Sequence, residues 1–312
     1  MTEILKTPAS AFVTIPEYPF LPNWLEVEHP DYGKLAMHYV DEGPREGPVV
    51  LMLHGEPSWS FAYRKVIRAV VDAGYRAVAP DHIGFGKSDK LPHRKDYSYQ
   101  HFVDWIAALV ARLDLQQVFL LCQDWGGPIG LRTLSQMPQR FAGVVVANTL
   151  LPGCEAPPNG VDPWPSEVVA NWVEATRQAD DLPVSAIVDG VSVADLGPDV
   201  LAAYDAPFPD ASYKAAVLEF PGLIPIAPEM AGVAENRVAW QALEKFERPF
   251  ITAFSDGDPS TKAWETVFRH RVAGARGQPH VEIGPAGHFV QEEQPEALAA
   301  CLLALIGRST RA

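Results

Sequence analysis

An aspartate, Asp124, lies at the corner of a predicted strand–turn–helix unit. The apolar residues 117–121 predict the strand, and residues 128–137 predict the helix that follows. Small residues two positions before and after the aspartate, Cys122 and Gly126, are typical of a tight turn that presents a nucleophile at the end of a sheet. A carboxylate in that position can attack a saturated carbon and form an ester. The alternative is that Asp124 only caps the following helix.

Predicted strands and helices alternate along most of the chain. The predicted strands are residues 35–40, 49–53, 76–79, 117–121, 141–148, 250–254 and 280–283. The predicted helices are residues 61–72, 99–112, 128–137, 234–246, 261–271 and 295–306. Runs such as Val-Val-Leu-Met-Leu are apolar throughout, so they suit strands that are buried on both faces. The alternation therefore predicts an α/β fold with a mostly parallel central sheet flanked by helices.

A proline-rich segment interrupts this alternation. Residues 151–230 contain twelve of the 29 prolines and predict only short helices, at 165–178 and 198–204. An insertion between two halves of one sheet is most simply a lid over the carboxyl edge of the strands, where open α/β sheets bind ligands. We therefore predict an α/β core formed by residues 1–150 and 231–312, with a helical cap at residues 151–230.

Composition argues against several classes of protein. The formal net charge of −14 argues against nucleic-acid binding, which needs clustered Lys and Arg. No apolar run approaches the about 18 residues that span a membrane, and the first residues lack the features of a signal peptide. Cys122, Cys154 and Cys301 stand at unrelated spacings, which argues against disulfides or a zinc site. We expect a cytoplasmic, monomeric protein that binds neither nucleic acid nor membranes.

A second motif, His54-Gly55-Glu56-Pro57, directly follows the predicted strand 49–53. Such a loop can direct a backbone N–H towards a developing oxyanion, together with the N–H of the residue after the nucleophile. We therefore expect the backbone N–H groups of Glu56 and Trp125 to form an oxyanion hole. A tight strand-to-helix turn without a catalytic role is the alternative.

Two further motifs could supply a base and an acid that orients it. His288 follows the last predicted strand, and Asp258 follows the predicted strand 250–254, with Asp256 as a second candidate for the acid. The order Asp124, Asp258, His288 along the chain matches the nucleophile–acid–histidine order of the α/β-hydrolases. This order predicts the α/β-hydrolase fold and a catalytic triad. Capping of the next helix by the two acids is the alternative.

Motifs for cofactors are missing from the sequence. The sequence Gly-Phe-Gly-Lys-Ser at residues 84–88 ends like a phosphate loop, but Asp81 occupies the position of the first glycine. The nine histidines form no metal-binding spacing such as His-Glu-x-x-His, and no dinucleotide fingerprint follows the first strand. We predict a hydrolase that needs neither metal nor cofactor.

The chain resembles the haloalkane dehalogenases over most of its length. The similar segments are residues 54–60, 84–89, 123–127, 206–210 and 286–292. The resemblance implies that Asp124 displaces halide from a small halogenated alkane and forms an alkyl ester. It also implies that His288, oriented by Asp258, activates the water that hydrolyses this ester to an alcohol. The products would be alcohol, halide and a proton.

The resemblance also implies two indole N–H groups that bind the leaving halide. Trp125 supplies one of them by its position beside the nucleophile. The second should come from the early cap, where Trp172 matches best and Trp164 is the competitor. An indole N–H is only a donor, so it suits an anion. A core aromatic of a cap helix is the alternative for Trp172.

Epoxide hydrolases are the main alternative, because they share the fold and the aspartate nucleophile. They differ in the cap, where two tyrosine hydroxyls protonate the epoxide oxygen, and Tyr204 and Tyr213 could be interpreted that way. Dehalogenation of fluoroacetate is a further alternative. A ligand-binding protein without catalytic activity would not need a nucleophile, an acid and a base together.

Overall fold

The computed structural model describes residues 3–154 and 164–309, and an eight-stranded sheet runs through the centre of this part. The strands are β1 Asn23–His29, β2 Gly33–Glu42, β3 Val49–Leu53, β4 Arg76–Pro80, β5 Val118–Gln123, β6 Phe141–Ala147, β7 Phe250–Ser255 and β8 Val281–Ile283. Their spatial order is β1-β2-β4-β3-β5-β6-β7-β8. Strand β2 is antiparallel to both of its neighbours, and the strands from β4 to β8 pair in parallel. The predicted mostly parallel sheet is confirmed.

The described part of the chain contains eleven α-helices. They are α1 Arg64–Asp72, α2 Tyr99–Arg112, α3 Gly126–Gln136, α4 Glu167–Gln178, α5 Val184–Gly190, α6 Pro198–Asp205, α7 Ala215–Leu223, α8 Val233–Leu243, α9 Trp264–Arg271, α10 Val290–Glu293 and α11 Pro295–Ser309. Every residue of the central strands β3 and β5 is buried, as expected for strands covered on both faces. The sheet and its two helical layers form one continuous core.

Most predicted boundaries differ from the structure by a few residues, and two of the differences have a local cause. Strand β5 begins at Val118 rather than at residue 117, because Gln117 has a φ of 50° and leaves the extended conformation. Helix α9 begins at Trp264 rather than at residue 261, and the preceding turn is held by Asp258. The Asp258 carboxylate accepts hydrogen bonds from the backbone N–H groups of Ser260 and Thr261, at 3.1 and 3.0 Å.

The chain between β6 and α8 contributes helices but no strand in its described part. Helices α4 to α7 lie in this segment, and α5 and α7 were not predicted from the sequence. The edge strand β1 was also missed, because only two of its seven residues are buried. The division into a core and a cap at residues 151–230 remains a prediction, and residues 155–163 of that segment lie outside the described part. Across residues 3–154 and 164–309, the helices are too short or too polar to span a bilayer.

Candidate active site

Asp124 stands at the sharp corner between β5 and α3. Its φ of 49° lies in the left-handed region, which is unusual for a residue other than glycine. The corner needs glycines because other backbone segments approach closely: a Cβ at Gly126 would overlap the carbonyl oxygen of Leu53. The hydroxyl of Thr149, just after β6, donates to the carbonyl oxygen of Asp124 at 2.6 Å. The strained backbone is therefore held from both neighbouring strands.

The two carboxylate oxygens of Asp124 have different surroundings. The backbone N–H of Glu56 donates to Oδ1 at 2.7 Å. The Oδ2 atom lies 3.4 Å from Nε2 of His288. The backbone N–H of Trp125, at the start of α3, has no acceptor among the described residues. The loop after β3 thus orients one oxygen of the carboxylate.

Asp258 rather than Asp256 contacts the imidazole of His288. Oδ1 of Asp258 lies 2.9 Å from Nδ1 of His288, and the Asp258 side chain is fully buried. Asp256 is exposed, and its Oδ1 accepts a hydrogen bond from the backbone N–H of Ala286 at 3.0 Å. The geometry brings together Asp124, His288 and Asp258, and leaves Asp256 outside this group.

Burial and neighbouring charges shift the pKa values of His288 and Asp258. Burial alone would lower the pKa of His288, but the carboxylates of Asp258 and Asp124 outweigh it and raise this pKa to about 10. For Asp258, burial opposes ionisation, yet His288 and the hydroxyl of Thr261 hold the pKa well below its usual range. Before any reaction the imidazole is therefore protonated between two carboxylates. Loss of the negative charge on Asp124 would remove one of the two causes of this raised pKa.

Asn148, directly after β6, organises the loop that carries His288. Its Nδ2 lies within 3.0 Å of the carbonyl oxygens of Gly287 and His288, and its Oδ1 accepts from the backbone N–H of Ser255 at 2.8 Å. The side chain of Gln123 also donates to the carbonyl oxygen of His288, at 3.1 Å. Neither residue was predicted as part of the site, although both end strands at the same edge of the sheet as Asp124.

A cavity of about 340 Å³ opens above Asp124. The α/β core contributes Glu56, Asp124, Trp125, His288 and Phe289 to its walls. Helices α4, α5 and α7 contribute mostly apolar side chains, such as Val169, Trp172, Ile187 and Pro221. Among the described residues, Glu56, Asp124 and His288 are the ionisable side chains in the walls. The cavity therefore suits a small uncharged molecule.

Glu56 lines this cavity, and its side chain accepts no hydrogen bond from the described residues. Burial, followed by the charge of Asp124, raises the pKa of Glu56 well above its usual range. The surroundings of this carboxyl group therefore disfavour its charged form.

Trp125 and Trp172, the two indoles expected to bind halide, have different surroundings from Trp164, the competing candidate. Trp125 and Trp172 both line the cavity, and neither indole N–H has an acceptor among the described residues. The ring of Trp125 is held edge-on by Tyr99 and Phe220, with centroids at 5.2 and 4.8 Å. Trp164 instead donates to the carbonyl oxygen of Pro225 at 2.8 Å and contacts a ring outside the cavity.

The two tyrosines considered for an epoxide substrate lie elsewhere. Tyr204 is fully buried, and its hydroxyl donates to Oε2 of Glu292 at 2.8 Å. Neither Tyr204 nor Tyr213 is among the described residues that line the cavity. In the described part of the walls, therefore, the available donors are indoles rather than phenols.

Several known proteins are similar to this chain. Residues 48–197 match the model of the alpha/beta hydrolase fold. A haloalkane dehalogenase of Psychrobacter cryohalolentis is 42% identical over 99% of this chain and 100% of its own length. One from Mycolicibacterium paratuberculosis is 41% identical over 96% of this chain and 97% of its own. The solved tetrameric structure of the haloalkane dehalogenase DpaA from Paraglaciecola agarilytica superposes with a TM-score of 0.87 at 33% identity, covering 97% of this chain and 98% of the other.

These likenesses extend over nearly the whole chain. They confirm the predicted α/β-hydrolase fold, and the relatives named above include no epoxide hydrolase. The chain belongs to the haloalkane dehalogenase family of α/β-hydrolase-fold enzymes.

Proposed function

We propose that this enzyme is a haloalkane dehalogenase that converts small halogenated alkanes to alcohol, halide and a proton. The observation that carries the proposal is a single constellation: the Asp124 carboxylate faces an apolar cavity beside His288, with two unpaired indole N–H groups in the walls. Carbon–halide chemistry needs a nucleophile for saturated carbon and donors for the leaving anion, and this cavity contains both.

In the first step, Oδ2 of Asp124 attacks the carbon that bears the halogen. The new C–O bond forms as the carbon–halogen bond breaks, and the bonding electrons leave with the halide. The indole N–H groups of Trp125 and Trp172 stabilise the charge that builds on the halogen. A hydrogen bond to a charged group contributes about 1.5–3 kcal/mol, so these donors favour the transition state and the product anion.

In the second step, water hydrolyses the ester at its carbonyl carbon. Esterification removes the charge of Asp124, which lowers the raised pKa of His288, and the imidazolium releases its proton to solvent as the product proton. The neutral imidazole can then accept a proton from water. The resulting hydroxide adds to the carbonyl carbon, and the backbone N–H groups of Glu56 and Trp125 bind the oxyanion. On collapse, the bond between the carbonyl carbon and the alkyl oxygen breaks. The alkyl oxygen takes the proton of the added hydroxyl group, which releases the alcohol and restores the Asp124 carboxylate.

The cavity also suggests the size of the substrate. A volume of about 340 Å³ with apolar walls suits a short aliphatic halide rather than a charged one.

The two steps need no metal or cofactor. We further propose that the enzyme acts as a cytoplasmic monomer, although one related structure is tetrameric.

A comparison of two substrates tests the proposed reaction. The purified enzyme is given a small bromoalkane and, separately, a styrene-type epoxide, while bromide and protons are measured in the first case and diol in the second. We expect one bromide and one proton per alcohol formed, and no turnover of the epoxide. Diol formation without bromide release would instead support the epoxide alternative.

Trp172→Phe is expected to weaken bromide binding by about 10- to 100-fold, because the change removes one charge-assisted hydrogen bond and keeps an aromatic ring. Bromide quenching of tryptophan fluorescence gives the binding constant. Trp164→Phe is the matched control, because the N–H of Trp164 already donates to Pro225. If Trp164→Phe weakens binding and Trp172→Phe does not, the second halide donor has been assigned to the wrong tryptophan.

A further inference from the structure

Glu293, the last residue of α10, binds two distant segments of the chain with one carboxylate. Its Oε2 accepts a hydrogen bond from the backbone N–H of Gly287 at 2.7 Å. Its Oε1 accepts from the backbone N–H groups of Val193 and Ala194, at 2.6 and 2.8 Å. Hydrogen bonds to an ionised acceptor are about twice as strong as neutral ones. One side chain therefore connects the residue before His288 to the segment 191–194.

A second contact connects the same two segments through the backbone alone. The backbone N–H of His288 donates to the carbonyl oxygen of Val191 at 2.8 Å. The chains approach so closely that a Cβ at Gly287 would overlap this carbonyl oxygen. The two successive N–H groups of Gly287 and His288 are thus both bonded to the segment 191–194, one of them through Glu293.

The segment 191–194 directly continues α5, which forms one wall of the cavity through Ala186, Ile187 and Gly190. A movement of this wall would therefore also move the loop that carries the imidazole of His288. Glu293 itself is not among the residues that line the cavity, so it has no contact with the reacting atoms. Any role in the reaction must act through the position of His288.

We propose that Glu293 is a positioning residue that couples the α5 wall of the cavity to the orientation of His288. The inference rests on the proposed dehalogenase reaction and extends it. Alkylation depends on Asp124, whose carboxylate is oriented by the N–H of Glu56 on a different loop. Hydrolysis of the ester depends on His288. Loss of the Glu293 link consequently slows the second step and leaves the first nearly unchanged.

The test replaces Glu293 by glutamine and measures the two steps separately. Glu293→Gln keeps the size of the side chain but turns one acceptor oxygen into an NH₂ group, which must then face a backbone donor. Rapid quenching with excess bromoalkane gives the rate of bromide release in the first turnover and the rate of ester decay. We expect ester decay to fall by about 10- to 100-fold and the first step to stay within about twofold. The alkyl-enzyme then accumulates in the intact mass spectrum.

Two companion variants separate positioning from folding. Glu296→Gln is the matched control, because Glu296 is exposed nearby and its side chain makes no hydrogen bond with the described residues. Glu293→Asp retains the charge and should recover part of the rate of ester decay, which also keeps the test decisive if the glutamine variant folds poorly. A parallel fall of both rates, a fall of the first step alone or no change would each overturn the proposal. Failure of the dehalogenase assignment would appear differently, as no bromide release by the unsubstituted enzyme.

Discussion

Asp124→Asn is expected to reduce halide release from a bromoalkane by at least about 10³-fold. The amide keeps the shape of the side chain and can still accept the hydrogen bond from Glu56, but its neutral oxygen is a poor nucleophile for saturated carbon. The substitution also removes one of the two carboxylates that raise the pKa of His288. Free bromide is measured over many turnovers, and the melting temperature shows whether the variant is folded.

The residual rate of this variant decides the class of the enzyme. A folded Asp124→Asn protein with a rate near that of the unsubstituted enzyme would mean that another group attacks the substrate, and the capping role of Asp124 would then be the better explanation. Asp256→Asn serves as the comparison, because Asp256 is an exposed carboxylate that follows β7 without contacting His288. We expect its rate to stay within about tenfold of the unsubstituted enzyme, since only one neutral backbone partner is affected.

His288→Phe is expected to separate the two steps of the reaction. Alkylation of Asp124 needs no proton transfer, so it should continue, whereas hydrolysis of the ester loses its base and should fall by at least about 10²-fold. Each enzyme molecule then releases about one bromide and stops. Intact mass spectrometry should show the protein heavier by the mass of the alkyl group.

The ratio of released bromide to modified protein provides the control for this result. The released bromide should equal the amount of modified protein, and Asp124→Asn treated in the same way should remain unmodified. A variant that turns over continuously without a mass change would contradict the two-step scheme. Modification at a residue other than Asp124, located by peptide mapping, would contradict the choice of nucleophile.

Much of the α/β core could be predicted from the sequence because its signals are local. Strand β3 and helix α2 have the predicted bounds. Strand β3 is a fully apolar run, and in the structure the Ser98 side chain caps α2 by accepting a hydrogen bond from the backbone N–H of His101. The residues proposed for catalysis follow strands, and the carboxyl ends of parallel strands meet at one edge of a sheet. Asp124 and His288 could therefore be placed together despite their distance in the chain.

Other features could not be predicted because their partners lie far away in sequence and leave no local pattern. Asn148 and Glu293 act through backbone groups, which look the same in any sequence. Helix α7 contains Pro221, which normally argues against a helix. The roles of Trp164 and Trp172 depended on which indole points into the cavity, and spacing alone leaves that open.

The two indoles that line the cavity belong to different parts of the molecule, Trp125 to the start of α3 and Trp172 to α4. An anion that accepts hydrogen bonds from both indoles would link α3 and α4 noncovalently. Such a cross-link adds to the stability of the folded chain in proportion to the logarithm of the anion concentration. A bound halide thus stabilises the structure that surrounds it. Its release requires α4 to move or water to replace the indole N–H groups. Release of the halide is therefore a separate step of the catalytic cycle, which follows bond breaking and depends on the contact between these two helices.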